Sequence, residues 1–376
     1  VLVAAVLMGE VVQPEGGEYS DEVPSAVVEA AIVDVVMHEV GHTLGLRHNF
    51  RASTAYSYEE LSDTSFTSAN GLASSVMDYV GAFVPSNRSL QGQYFSAAVG
   101  TYDKWAIRYA YLPLEGEVAG EQPPALQALA AQGAASAELA FATDEDKSRS
   151  DGIDPLTSVY DLGSDPIFFH QDRLALVQVL LTDVVNRTVF VAESWTRLLP
   201  AVTSFLRVAL RAGTYIAKYI GGFTTSKAHR GDPAAAPAGP VAAASVRDQA
   251  RALELALQII SQRFWRPVSA LASRLPERTG SCEGLQQYCL GAAPADLRGT
   301  ALRTRKLVLM ALLQQQRTTG LQQQEWRRGA NESAGATNGG GSSNPSAGLG
   351  VDAVPAWRTP PLPVAAVSEE FASPTL

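Results

Sequence analysis

Three of the chain's five histidines fall in one short stretch, His38-Glu39-Val40-Gly41-His42-Thr43-Leu44-Gly45-Leu46-Arg47-His48. His38 and His42 are four apart, so on a helix their imidazoles leave one face about a turn apart and reach a single metal ion. Zinc takes histidine nitrogens at about 2.0–2.1 Å in a tetrahedron and, where it is catalytic, keeps one corner for water. Gly45 stands where that helix must stop, because glycine enters the left-handed backbone region without a Cβ clash. The turn it permits swings His48 back as a third ligand. Glu39 is too close to His38 to complete the tetrahedron, and its carboxylate is suited to hold and deprotonate a metal-bound water. At average composition these five positions coincide by chance in about one chain of this length in ten thousand. The segment therefore reads as a zinc site rather than an accident on an exposed helix.

Elements must deliver these ligands. Ser25–Leu46 reads as one long helix opened by Pro24, whose missing N–H costs nothing in a first turn. Phe50 to about Asn87 reads as loop and short turns, rich in Ser, Thr, Ala and Asn. A second helix is expected from Gly100 to Tyr111, with Asp103 in its first turn, where a carboxylate favours the helix N-terminus. Upstream, Val1–Val12 reads as a strand. Its apolar start is too short for a bilayer span and lacks the basic leader and cleavage site of a signal peptide.

Ser75-Val76-Met77-Asp78-Tyr79 follows the histidines, and with it the chain resembles the metzincin zinc endopeptidases. Arg47-His48-Asn49-Phe50-Arg51, Tyr102-Asp103-Lys104-Trp105, Ala142-Thr143-Asp144-Glu145-Asp146 and Asp161-Leu162-Gly163-Ser164-Asp165-Pro166 narrow the likeness. Together they are similar to large, mostly bacterial zinc metalloproteases related to the protease subunit of an AB-type toxin, from about residue 25 to about 275. The resemblance implies that Met77 floors the site and that Tyr79 binds zinc at rest or donates a hydrogen bond to the oxyanion. Asp103 would brace the methionine turn, beside the plainer reading of a helix N-terminal charge. It also implies one catalytic Zn2+, a protein or peptide substrate, an extracellular or periplasmic location, and a substrate-binding sheet upstream of the zinc helix. Only 37 residues precede His38 and the first is not methionine, so the sequence reads as N-terminally truncated, with most of that sheet missing.

Beyond Leu112 an alanine-rich helix is expected after Pro123-Pro124, broken at Gly133. Asp144, Glu145, Asp146, Asp151, Asp154, Asp161 and Asp165 follow as an acidic stretch. Oxygen-rich loops hold Ca2+, but this spacing matches no Ca2+ loop, and Asp is an ordinary turn and capping residue. From Pro166 the apolar pattern turns helical: Leu174, Val177, Leu180 and Leu181, then Leu198, Val202, Phe205 and Val208, then Leu253, Leu257 and Ile260 on a helix from Asp248 to Phe264, and a last helix over Leu302–Gln316. Gly, Ser, Asn and Pro dominate from Gly329, which reads as a disordered tail.

The expected organisation is a partial metzincin zinc core over 1–115, an acidic linker or irregular arm over 116–165, a helical domain over 166–325 and a tail over 326–376. The fold class is α+β, predominantly helical: zinc helix, methionine turn and lower-lobe helix, followed by a helical bundle. The formal net charge of −9 argues against a nucleic-acid partner, and no transmembrane segment is seen. His170 and His229 read as surface or satisfied core histidines, and Arg230-Gly231-Asp232 as a turn. Cys282 and Cys289 are spaced for a small disulfide loop, whose geometry sequence does not settle. Oligomeric state stays open. Beside a zinc endopeptidase stand two other readings: a catalytically incomplete zinc-binding structural or interaction module, and a helical half that binds a partner protein.

Overall fold

The structure is a computed structural model that describes residues 24–113, 123–147, 153–189, 191–192, 195, 198–227, 229, 240–271, 274, 297–314 and 319–325. The strand expected over Val1–Val12, Cys282, Cys289, the Arg230-Gly231-Asp232 turn and the tail from 326 lie outside these residues.

Helix α1 spans Ser25–Thr43 with Pro24 at its N-cap. It ends short of the expected Leu46 because Gly45 turns left-handed at φ +84°. Gly45 N then donates to the His42 carbonyl at 3.0 Å and Leu46 N to the Gly41 carbonyl at 3.0 Å, the paired closure that a left-handed residue past a helix end allows. Among the described residues α1 buries only Val27, His38 and Gly41. Ile32, Val35, Val36 and Val40 are exposed.

Two short helices, α2 (Tyr58–Ser62) and α3 (Thr64–Asn70), replace part of the expected loop. Local capping explains them. Glu60 N donates to Ser57 Oγ at 3.2 Å while Ser57 N donates to Glu60 Oε2 at 2.7 Å, a reciprocal pair that satisfies two otherwise orphaned donors. The Asp63 carboxylate caps α3 through Ser65 N at 2.8 Å. Helix α4 is Thr101–Tyr111, and its last tyrosine donates to the Leu44 carbonyl just past α1 at 3.1 Å. Helix α5 spans Pro124–Ala135 and, contrary to expectation, runs through Gly133. The reason is packing: a Cβ at Gly133 would meet the Trp105 ring at 2.9 Å, and Trp105 Nε1 donates to the Leu129 carbonyl at 2.8 Å.

The helical half comprises α6 (Pro166–Thr188), α7 (Leu198–Ile216), α8 (Val246–Ile260), α9 (Gln262–Leu271) and α10 (Leu297–Leu312). Between α7 and α8 lies the one sheet among the described residues, β1 (Phe223–Thr225) antiparallel to β2 (Val241–Ala243), with Thr224 opposite Ala242. Helix α7 is central, packing on α6, α8 and α10. A Cβ at Gly213 would lie 2.4 Å from Val308 Cγ2, so α7 and α10 meet almost backbone to side chain. Leu174, Val177, Leu180, Leu181, Leu198, Val202 and Phe205 fill this core as their spacing predicts. Burying each such leucine or phenylalanine is worth about 1.5–3 kcal/mol over leaving it exposed.

Two expectations for α8 are corrected. It stops at Ile260 because Ser261 is extended at ψ 147°, so Phe264 belongs to α9. Its buried face is Ala252, Leu255, Ala256, Ile259 and the expected Ile260, whereas Leu257 is 43% exposed. The expected stripe counted Leu257 and overlooked the alanines that let helices approach. The two halves are joined by polar contacts. Arg173 on α6 donates to the carbonyls of Val84 at 3.0 Å and Ala82 at 3.2 Å, and the Tyr58 hydroxyl donates to Asp172 at 2.6 Å. No helix among the described residues is long and apolar enough to cross a membrane.

His170 lies on α6, 4% exposed. Burial, with Arg173 and Arg211 adding like charge, lowers its pKa from 6.5 to about 3. The fold thus holds it neutral while the unfolded chain protonates it. Its contribution to stability is present above pH 6.5 and is lost as pH falls towards 3. Urea unfolding at pH 7.5 and pH 5.0 should show wild-type stability falling relative to His170→Gln by about 2 kcal/mol; parallel pH dependence in the two proteins would refute this. At Gly45 a Cβ would meet nothing within 4 Å, so Gly45→Ala should lower unfolding stability by about 1–2 kcal/mol through the left-handed backbone alone.

Candidate metal centre

The end of α1 and the turn after it bring three imidazoles together. Ring centroids are 4.7 Å apart for His38–His42, 4.9 Å for His42–His48 and 5.4 Å for His38–His48. One nitrogen from each lies within 4.8 Å of the other two. Among the described residues this is the group of His, Cys, Asp or Glu side chains gathered closely enough to hold a metal ion.

Each ring is oriented through Nδ1. His38 Nδ1 lies 2.7 Å from the Val76 carbonyl and His42 Nδ1 3.0 Å from the Leu46 carbonyl. His48 Nδ1 lies 2.8 Å from Asp144 Oδ2. An acceptor at Nδ1 places the proton there and leaves the Nε2 lone pair to face inwards. His48 Nε2 is buried with no hydrogen-bond partner in the protein. A buried acceptor left unpaired costs roughly 1–3 kcal/mol unless something fills its lone pair. Three imidazoles gathered in this way are a fitting donor set for zinc. Burial lowers the His38 pKa, with His42 and His48 adding to the shift against the Val76 carbonyl and Glu39, a direction that favours the neutral ring.

Beneath the helix lies the Met77 turn. Met77 is fully buried, and a Cβ at Gly41 would sit 2.3 Å from its Sδ; the glycine lets the thioether press against the helix between the first two histidines. Asn49 N donates to the Met77 carbonyl at 3.1 Å. The turn is held from α4 by Asp103, 4% exposed, which accepts from Ser75 Oγ at 2.5 Å, Val76 N at 2.8 Å and Gly100 N at 2.9 Å. Asp103 therefore serves its own helix terminus and also holds the residue whose carbonyl orients His38. Desolvation outweighs these donors and raises its pKa.

Glu39 is exposed, and its charge reaches both rings, His38 and Tyr79, opposing the fall in the His38 pKa and adding to the rise in that of Tyr79. The Tyr79 ring lies 4.6 Å from His48 and 5.2 Å from His38. Burial raises its pKa, helped by Asp144, Tyr160 and Glu39, so the phenol keeps its proton. All eight residues singled out from the sequence, His38, Glu39, His42, Gly45, His48, Met77, Tyr79 and Asp103, thus lie in or directly beneath one locality.

Several neighbours had no local signal. Tyr160 takes a left-handed backbone at φ +61°, which costs a non-glycine residue about 1–2 kcal/mol. Its N–H donates to the Tyr79 carbonyl at 2.7 Å, its ring stacks on Tyr79 at 6.4 Å, and the Arg211 guanidinium lies 4.1 Å over it. Asp78, next to Met77, accepts from Ser53 N at 2.8 Å. Burial, then the nearby Asp161 charge, raises its pKa well above the usual carboxylate range. Asp161 rises to about 6 through burial, opposed by Lys218. The buried Lys218 donates to the Thr157 carbonyl at 2.8 Å and Ser158 Oγ at 3.1 Å, tying the turn after α7 to the segment that leads into Tyr160.

Five acids of the stretch take separate partners. Asp144 pairs with His48, Glu145 with Arg47, Asp146 with Lys227, Asp154 with Arg51 and Asp165 with Arg251; Asp151 lies outside the described residues.

No curated protein and no solved structure matches the chain. A family model described as Met-zincin matches residues 20–337, a span that holds the three histidines, the methionine turn beneath them and all five helices of the second half. That match covers most of the sequence, and the chain belongs to the Met-zincin family.

Proposed function

We propose that the chain is a zinc-dependent endopeptidase in which His38, His42 and His48 hold the metal and Glu39 is the general base. The observation that carries this reading is the set of three imidazoles, each tied through Nδ1, with the unpartnered His48 Nε2 buried among them. Zinc, when bound, supplies a Lewis acid that lowers the pKa of a coordinated water towards about 7 and polarises a carbonyl. The chain's own groups do the rest. Glu39 follows His38 directly and takes the proton of the attacking water, then returns it to the departing amine. Tyr79 is kept protonated beside His38 and His48; it donates a hydrogen bond to the scissile carbonyl oxygen as negative charge develops there. Met77 and Asp103 position the ligands from below. The finer likeness to large bacterial metalloproteases related to a toxin protease subunit belongs to the same proposal.

A second reading has its own support. The histidine cluster and the family require only metal binding, and Ile32, Val35, Val36 and Val40 leave an apolar outer face on α1. A zinc-holding structural or interaction module fits both. One experiment separates the two: zinc content and hydrolysis of an unfolded protein substrate, with and without chelator, for wild type, Glu39→Gln and His42→Ala. The endopeptidase reading expects Glu39→Gln to keep one zinc and lose about 10²–10⁴-fold in rate, and His42→Ala to lose both. Zinc-loaded wild type that cleaves nothing leaves the module reading standing, and undiminished cleavage by Glu39→Gln removes Glu39 from its role.

A further inference from the structure

The three histidines do not get their orientation in the same way. His38 and His42 ride on α1, which fixes their backbones, and their Nδ1 atoms meet main-chain carbonyls. His48 lies past the helix end, beyond the left-handed Gly45, on backbone without regular structure. Its Nδ1 meets a carboxylate, Asp144, 96 residues away in sequence. The arm that brings Asp144 there is stitched to the chain around His48. Asn49, fully buried, donates through Nδ2 to the Ala140 carbonyl at 3.0 Å and accepts from Ala142 N at 3.1 Å. Phe50 N donates to the Ala142 carbonyl at 2.7 Å, and Arg47 grips both Glu145 oxygens at 2.7 Å. Two consecutive residues, Arg47 and His48, are thus latched to two consecutive acids, Asp144 and Glu145.

The two latches differ in consequence. The Arg47–Glu145 side chains are 57% and 68% exposed, and an exposed pair contributes little to stability. The His48 side chain is 17% exposed, its other nitrogen is buried without a hydrogen-bond partner, and Asp144 is half exposed. A carboxylate on the outer nitrogen fixes the tautomer, holds the ring plane and makes the inner nitrogen a stronger donor. We infer that Asp144 is the positioning residue of the third ligand, and that through it an occupied metal site holds the arm Ser136–Lys147 against the His48 turn. This rests on the zinc reading of the three histidines, though not on peptide hydrolysis. Because the coupling is an equilibrium one, it runs both ways: the arm tightens the metal, and the metal tightens the arm.

The test reads zinc affinity by chelator competition, the visible spectrum of the Co2+-loaded protein, and hydrogen exchange across residues 136–147 with and without zinc. Wild type, Asp144→Ala, Asp144→Asn and Glu145→Ala are compared. Asp144→Ala should weaken zinc about 10–100-fold, and Asp144→Asn less, because its amide oxygen still accepts the Nδ1 proton. Asp144→Ala should also shift the Co2+ spectrum as the third imidazole turns. Glu145→Ala removes the exposed latch alone and should leave affinity within about threefold and the spectrum unchanged. Zinc should slow exchange in the arm of wild type but not of Asp144→Ala. Asp144→Ala binding zinc as wild type does, with an unchanged Co2+ spectrum, overturns the inference while leaving the zinc site intact. Wild type that binds no zinc overturns the zinc reading itself, and the inference falls with it.

Discussion

An imidazole has two nitrogens, and one that offers Nε2 to a metal carries its proton on Nδ1, where an acceptor can fix the ring. Supplying such acceptors organises the half of the molecule that holds the three histidines. His42 meets its acceptor locally, from the turn that Gly45 creates. His38 needs the Val76 carbonyl, which in turn needs the methionine turn, and the turn is held by Asp103 at the start of α4. His48 needs Asp144 and so an arm from far down the chain. Three acceptors on three segments explain why a short motif is embedded in so much surrounding structure.

The foundation beneath the methionine turn is polar, and burial raises the pKa of Asp78, Asp103 and Asp161. Apolar residues would fill the same space with less desolvation penalty. What buried carboxylates add is direction: Asp103 reaches a hydroxyl and two main-chain N–H groups at once, and Ser53 gives its N–H to Asp78 and its hydroxyl to Asp161. Greasy packing fixes volume, whereas these bonds fix the angle at which a carbonyl or a backbone turn is presented. The left-handed Tyr160 belongs to the same economy of orientation, since its N–H holds the carbonyl of Tyr79.

The ligand stretch was legible because its spacing is helical and local; around it Gly45 turns left-handed past α1, Met77 packs against Gly41 and Asp103 accepts from Val76 N. The helical half was legible for the same reason, through Leu174, Val177, Leu180, Val202 and Phe205. What escaped was of two kinds. Alanine and glycine contacts carry no hydrophobic signal, so the buried face of α8 and the passage of α5 through Gly133 were missed. Partnerships across about a hundred residues have no period at all: Asp144 and Glu145 read as members of an acidic run until the fold set them beside His48 and Arg47. The capping pair Ser57 and Glu60 was in plain view, with the spacing that marks a helix start.

The fit of Met77 against Gly41 also has a chemical consequence. Methionine sulfur gains an oxygen readily when oxidant reaches it, and the resulting sulfoxide is larger and polar. Met310, 54% exposed, is open to such attack, whereas Met77 has no exposed surface and its sulfur already fills the space where a Cβ at position 41 would stand. Sulfoxide at Met77 has no room in the folded molecule. The floor of the metal centre is therefore shielded from oxidative damage for as long as the chain stays folded.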